Sequence, residues 1–251
     1  MVEIINYWRK LDTSISPYIH SSDKVLLNTN MYNYKSYDEY IKSNEFGNIS
    51  SNLHSGLLPS PYCGDILNAK IYILMLNPGF SSIDYYAEQN CQSFRHAAIN
   101  CVRQEKFDEY PFYSLNPKYL WTGGGQYWEN KLKDIIKLYT KEKQVDYSTA
   151  LRNISQNIAL LELIPYHSLR YGLTNKIFNL IYSQKMMKEF VHTYVMNRVR
   201  RNESSIIVTR KTKIWNLENN NNIIAYTGGE ARGAHLSTNS RGGKKIIEFL
   251  I

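Results

Sequence analysis

A chain of 251 residues, 43% hydrophobic and 21% charged, has the composition of a folded globular protein, which excludes wholesale disorder. Its longest apolar stretch, Ile71 to Leu76, falls far short of the roughly 20 residues that cross a bilayer, and MVEIINYWRKLD lacks the basic, apolar and small-residue order of a signal peptide, so a cytoplasmic protein is expected. Thirty Lys and Arg against 22 Asp and Glu give a net charge of +8, a balance that points to an anionic partner, nucleic acid first.

The cysteines exclude further classes. Cys63, Cys91 and Cys101 form no CxxC pair, and three thiols cannot build a four-thiolate zinc or iron–sulfur site. The histidines His20, His54, His96 and His192 share no metal-ligand spacing. No metal and no cofactor is therefore expected. No repeat period or Gly/Ser-rich linker divides the chain, so a single domain is expected, with residues 1–56 as a helical extension and 57–251 as the core.

In chain order, short helices are predicted over Val2–Leu11 and Tyr37–Asn44. The Pro-bearing loop LLPSPYCGD follows, then the strand-like run IYILMLN, stopped by Pro78-Gly79. Helical character covers Tyr86–Glu105 and Tyr127–Lys143. A second apolar strand spans Ile158–Ile164 and ends at Pro165. One long helix is predicted over Asn175–Arg201, with apolar residues near a 3.6 period. Strands at Ser205–Thr209 and Asn222–Tyr226 and a helix at Lys244–Leu250 complete the chain.

Strands that alternate with helices and read as continuous apolar runs indicate an α/β fold with a mostly parallel, four-stranded central sheet. Sites in such sheets form at the carboxyl ends of the strands. The unusual segments of this chain fall at those ends: NPGF after the first apolar run, ELIPYHS at the second, and TGGEARGAHLSTNS after the last.

These segments resemble the uracil-DNA glycosylase superfamily. LLPSPYCGDILNAKIYILMLNPGF looks like its first motif region, with an Asn-Pro-Gly turn at the strand end. IALLELIPYHS is similar to the strand that contacts the base edge, and HLSTNSRGG to the final His-x-Ser loop. The resemblance runs from Leu57 to the C-terminus and implies a glycosylase fold that flips a nucleotide out of DNA. It implies that Asn77 positions the attacking water and that His235 donates to the pyrimidine O2 as charge develops there. It further implies base contacts from Pro78, Gly79 and Glu162, and a stacking platform supplied by Phe80, Phe112 or Tyr113. Ser60, Ser237, Asn239, Ser240, Arg241 and Lys244 would meet the DNA strand. Asn239 stands where relatives place an apolar wedge.

Two residues bear on substrate choice. Relatives confined to uracil carry a Tyr that closes off pyrimidine C5, and this chain has Gly79 in its place. Where a uracil-excising relative has Asn to read the base, this chain has Glu162; an ionised carboxylate offers acceptors only and so favours the N4 amine of cytosine over the O4 of uracil. The implied substrate is a 5-modified pyrimidine, bulky glucosylated hydroxymethylcytosine of phage DNA being the example, which would make the protein a bacterial defence enzyme. Three alternatives stand beside this. One is a uracil or mismatch repair glycosylase; another is a catalytically silent nucleic-acid-binding module of the same fold. The third, a hydrolase of free nucleotides, fits the basic charge poorly. Protein partners and the oligomeric state have no signal in the sequence.

Overall fold

The computed structural model describes residues 2–251, which form an α/β fold around one mixed sheet. Seven strands occur among them. β1 (Met31–Tyr32) and β2 (Leu53–His54) make a small parallel pair. β3 (Tyr62–Cys63), β4 (Ile71–Met75), β5 (Ile158–Glu162), β6 (Ser205–Val208) and β7 (Ile223–Ala225) form the main sheet in the order β3-β5-β4-β6-β7. β5, β4, β6 and β7 run parallel, as their unbroken apolar sequences require of strands covered on both faces. The expected count of four strands is short by one: β3 pairs antiparallel to β5, and its two residues carry no periodic signal.

β4 is the centre of the sheet, and Ile71, Tyr72, Ile73 and Leu74 are fully buried in it. The chain passes from β4 to its neighbour β5 and then crosses back to place β6 on the other flank of β4. The crevice where the strand order reverses, the usual ligand site of an open α/β sheet, therefore lies beyond the carboxyl ends of β4 and β6. Asn77 follows the first of these strands and Arg210 the second. Thr209 fastens them together, its amide and its hydroxyl both donating to the Leu74 carbonyl at 3.0 Å.

Two of the predicted helices are broken, one of them where a side chain distant in sequence caps a turn. The segment expected as one helix over Asn175–Arg201 is divided into Asn175–Phe178, Tyr182–Phe190, a π-helical turn at Val191–Val195, and Met196–Arg200. Buried Asp23 makes the break: its Oδ1 accepts the amides of Tyr182 (2.7 Å) and Ser183 (3.0 Å) and so starts a new helix there. Tyr86–Glu105 likewise resolves into Ser82–Asn90 and Gln92–Arg103, parted at Cys91, with a capping box between Ser81 and Asp84 at the first start. The glycines 123–125 are the first turn of the 21-residue helix Gly123–Lys143, capped by Thr122, and a further helix at Tyr147–Ser155 leads into β5.

The N-terminal segment is packed on the core. Ile4, Ile5, Trp8 and Leu11 are buried within the main apolar cluster, and Glu3–Trp8 lies against the helices Gln92–Arg103 and Tyr182–Phe190. Among the described residues no helix is long and apolar enough to cross a membrane.

Candidate active site

The Asn-Pro-Gly turn is held by the segment that follows β5. Asn77 Nδ2 donates to Ser168 Oγ at 2.9 Å and to the Pro78 carbonyl at 3.1 Å, and the Ser168 amide donates to the same carbonyl at 3.2 Å. With its nitrogen committed, the half-buried Asn77 presents Oδ1 as a free acceptor at the crevice. An amide oriented in this way can accept a hydrogen bond from a water but cannot remove its proton.

His167 ties the turn to the Pro-bearing loop. One ring nitrogen lies 2.7 Å from the Gly79 carbonyl and the other 3.0 Å from the Leu58 carbonyl. Burial holds this imidazole below its usual pKa against the opposing pull of those carbonyls and of Asp84. A neutral ring donates to one of the two carbonyls, so its tautomer selects which loop is gripped. Ser60 joins the same frame through its amide, which donates to the Pro165 carbonyl at 2.8 Å. His167 follows the second apolar strand in the sequence, and its partners lie 88 and 109 residues away.

Two acids brace the mouth. Asp84 accepts the amides of Ser81 (2.7 Å) and Gly123 (2.9 Å), joining the N-termini of two helices, although burial pushes its carboxyl above the usual range. Glu88 accepts the Leu58 amide at 2.9 Å, and burial pushes it up to about 8. A folded-state pKa raised above the unfolded value means that folding takes up a proton. This contribution is complete below pH 4.5, shrinks as pH rises, and is gone above about 8. Glu88→Gln keeps the acceptor and cannot ionise, so its stability relative to wild type should climb across that window by about 1 kcal/mol per pH unit. Urea titrations at several pH values measure this, and parallel curves would contradict it.

Glu162 ends β5 in register with Met75 of β4. Its side chain is 2% exposed and Oε2 has no partner, so burial alone raises its pKa well above the carboxylate range. Burial thus favours its protonated form, which has one donor and one acceptor. A protonated Glu162 can donate to N3 of cytosine while accepting from N4, so the expected cytosine pairing survives a raised pKa, and the same acid can also meet the N3–O4 edge of uracil.

The aromatic candidates separate. Phe112 is fully buried, edge-on to Trp128 at 5.3 Å, with its amide donating to Ser155 Oγ at 2.9 Å; it is core and offers no face to a base. Tyr113 is half-buried against Phe94, Leu58 and Ala98. Phe80 is half-buried with one face on His54, the ring centroids 3.8 Å apart. Phe80 and Tyr113 thus pack in separate clusters with Leu57 and Leu58 of the Pro-bearing loop.

The final loop is placed by Tyr226, whose hydroxyl donates to the His235 carbonyl at 2.6 Å. The His235 ring is exposed and lies over Gly233, where a Cβ would come within 2.6 Å of Cδ2, so only glycine admits this ring position. Two of the residues expected to meet DNA also have partners within the fold. Ser240 caps the helix Arg241–Leu250, accepting the Gly243 amide at 3.0 Å and donating to the Ser237 carbonyl at 2.8 Å. Arg241 is held by Glu230 at 3.0 Å and by the Ala225 carbonyl at 2.7 Å. Asn239 and Lys244 are exposed, and Ser237 is half-buried.

The helix Gly123–Lys143 runs along the whole mouth. Gly123, Tyr127 and Lys131, at i, i+4 and i+8 on one face, meet Asp84, the surroundings of Glu162, and the Gly233 carbonyl in turn. Cavities of about 350 and 500 Å³ lie elsewhere, one beside the N-terminal helix and one beside β7 and the Asn219–Asn221 loop. Scans against known families, curated proteins and solved structures return no match.

Proposed function

We propose that the protein is a monofunctional DNA glycosylase that hydrolyses the N-glycosidic bond of a flipped pyrimidine carrying a substituent at C5. The observation that carries this reading is the pairing of two unusual groups at adjacent strand ends: Asn77, its nitrogen anchored by Ser168 and its oxygen free, and Glu162, a buried acid with an unpartnered oxygen and a pKa raised by burial. An orphaned buried carboxyl costs stability unless a ligand completes its hydrogen bonds, and a base edge supplies a donor and an acceptor together.

In the reaction the C1′–N1 bond breaks while a water oxygen, oriented by Asn77, bonds to C1′. The departing base takes the electron pair, and the proton released by the water ends on the base or in solvent. His235, with a ring free of protein hydrogen bonds, supplies a donor for the pyrimidine O2. The positive net charge supports a DNA substrate.

Gly79 carries the specificity. A Cβ built there meets nothing within 4 Å, so the wall against C5 is open. Because Glu162 suits both cytosine and uracil, the C5 opening and not the acid selects the substituted base. Mass spectrometry of bases released from DNAs with plain, hydroxymethylated and glucosylated pyrimidines tests the activity directly. Gly79→Tyr should lower excision of a bulky 5-substituted base at least tenfold and spare an unsubstituted one. Equal loss on both would remove the C5 argument, and release of no base from any DNA would leave a binding module.

A further inference from the structure

Arg210, just after β6, and Lys131 of the long helix form a pair of cations without a carboxylate. Arg210 Nη2 donates to the Arg232 carbonyl at 3.0 Å, and Lys131 Nζ donates to the Gly233 carbonyl at 3.2 Å. Two positive heads thus end on successive carbonyls of one short helix, Gly228–Gly233. The carbonyl end of a helix accommodates a cation, but two together repel. Burial, with Arg210 adding to it, holds Lys131 below its usual pKa.

Several arginines of this chain pair with acids, among them Arg152 with Glu109, Arg200 with Glu218, Arg201 with Glu203 and Arg241 with Glu230, whereas Arg210 and Lys131 rest on backbone carbonyls. The carboxyl that acts on Tyr127 together with Arg210 is Glu162, whose buried Oε2 has no partner and so is not paired with either cation. The exposed ring of Tyr127 forms the outer wall, its centroid 5.4 Å from Lys131 Nζ. The missing anion would sit beside the orphaned Glu162 acid and the His235 loop.

We propose that Lys131 and Arg210 form a binding site for a phosphodiester group of the DNA strand beside the flipped nucleotide. The two non-bridging oxygens of one phosphate take a charge-assisted hydrogen bond from each cation, and their charge relieves the repulsion between them. The location rests on the glycosylase reading, whereas the contact itself requires only that DNA binds.

The test is fluorescence anisotropy of an unmodified duplex oligonucleotide across a salt series. Lys131→Gln and Arg210→Gln keep an N–H donor for the helix carbonyls while removing the charge. Each should weaken binding severalfold at low salt and flatten the log–log salt dependence by about 0.9, and the double variant by about twice that. Lys141→Gln, exposed near the far end of the long helix, serves as the control and should leave the slope unchanged. If the two cations only cap the helix, the variants will lower the melting temperature and leave the slope alone, which overturns the phosphate site. Unchanged slopes with base release intact overturn this site and spare the glycosylase reading; an absence of salt-dependent DNA binding overturns both.

Discussion

Asn77→Ala is expected to lower the single-turnover rate of base release about a hundredfold or more while leaving DNA affinity and its salt dependence unchanged. The substitution deletes the free Oδ1 acceptor, and with it the alignment of the water. It also breaks the bond to Ser168, which costs about 1 kcal/mol of stability, so a folded protein should remain for assay. Asn77→Asp sharpens the test. A carboxylate retains an acceptor toward the water, and the Ser168 hydroxyl can turn to donate to it. Substantial activity in the Asp variant, beside its loss in the Ala variant, would show that position 77 acts through its oxygen. A near wild-type rate for Asn77→Ala would remove this residue from the chemistry.

How much of this site can be read from the chain depends on distance along it. β4, β5 and β6 announce themselves as apolar runs closed by turn residues, and the functional segments at their ends are local in sequence. Asn77, Gly79 and Glu162 are therefore placed by strand assignment alone. What the sequence conceals is every bond made across the fold. Asp23 restarts a helix about 160 residues away, Ser168 anchors Asn77 across 91 residues, and His167 joins two loops that are not neighbours in the chain. None of these has a periodicity or a motif.

Charge misleads in the same way. Arg241 and Ser240 sit in a segment that reads as DNA-gripping, yet Glu230 and the Gly243 amide satisfy them. Arg210 and Lys131 have no motif, yet the fold sets both cations on carbonyls of one short helix with no acid between them. A basic residue becomes informative only when its partners are known, and those are tertiary facts. Phe112 is a further case, since an aromatic before a serine reads as a platform until its burial against Trp128 is seen.

Glu162→Ala should lower kcat/KM on the preferred substrate about a hundredfold, because it leaves the N3 and exocyclic groups of a flipped base unpaired in a dry site. Glu162→Gln should stay within about tenfold of wild type, since its amide offers the donor and acceptor pair that the neutral acid offers. The pH dependence separates this from an ionised carboxylate. The folded-state pKa of Glu162 lies well above the unfolded value, so the neutral form persists beyond the usual carboxylate range and is lost only as pH rises through the folded pKa. Wild-type activity should therefore decline on the alkaline side, where ionisation removes the O–H donor and sets a charge against N3 of cytosine. Glu162→Gln has no such proton to lose, and its alkaline limb should be flat over that range. If Glu162 read the base as an ionised acceptor, the order would reverse: wild type would gain activity with rising pH and Gln would not follow it. The comparison also bears on stability, because an orphaned acid that ionises in the core opposes folding. Glu162→Gln should accordingly resist alkaline unfolding better than wild type in the absence of DNA, a difference readable by circular dichroism.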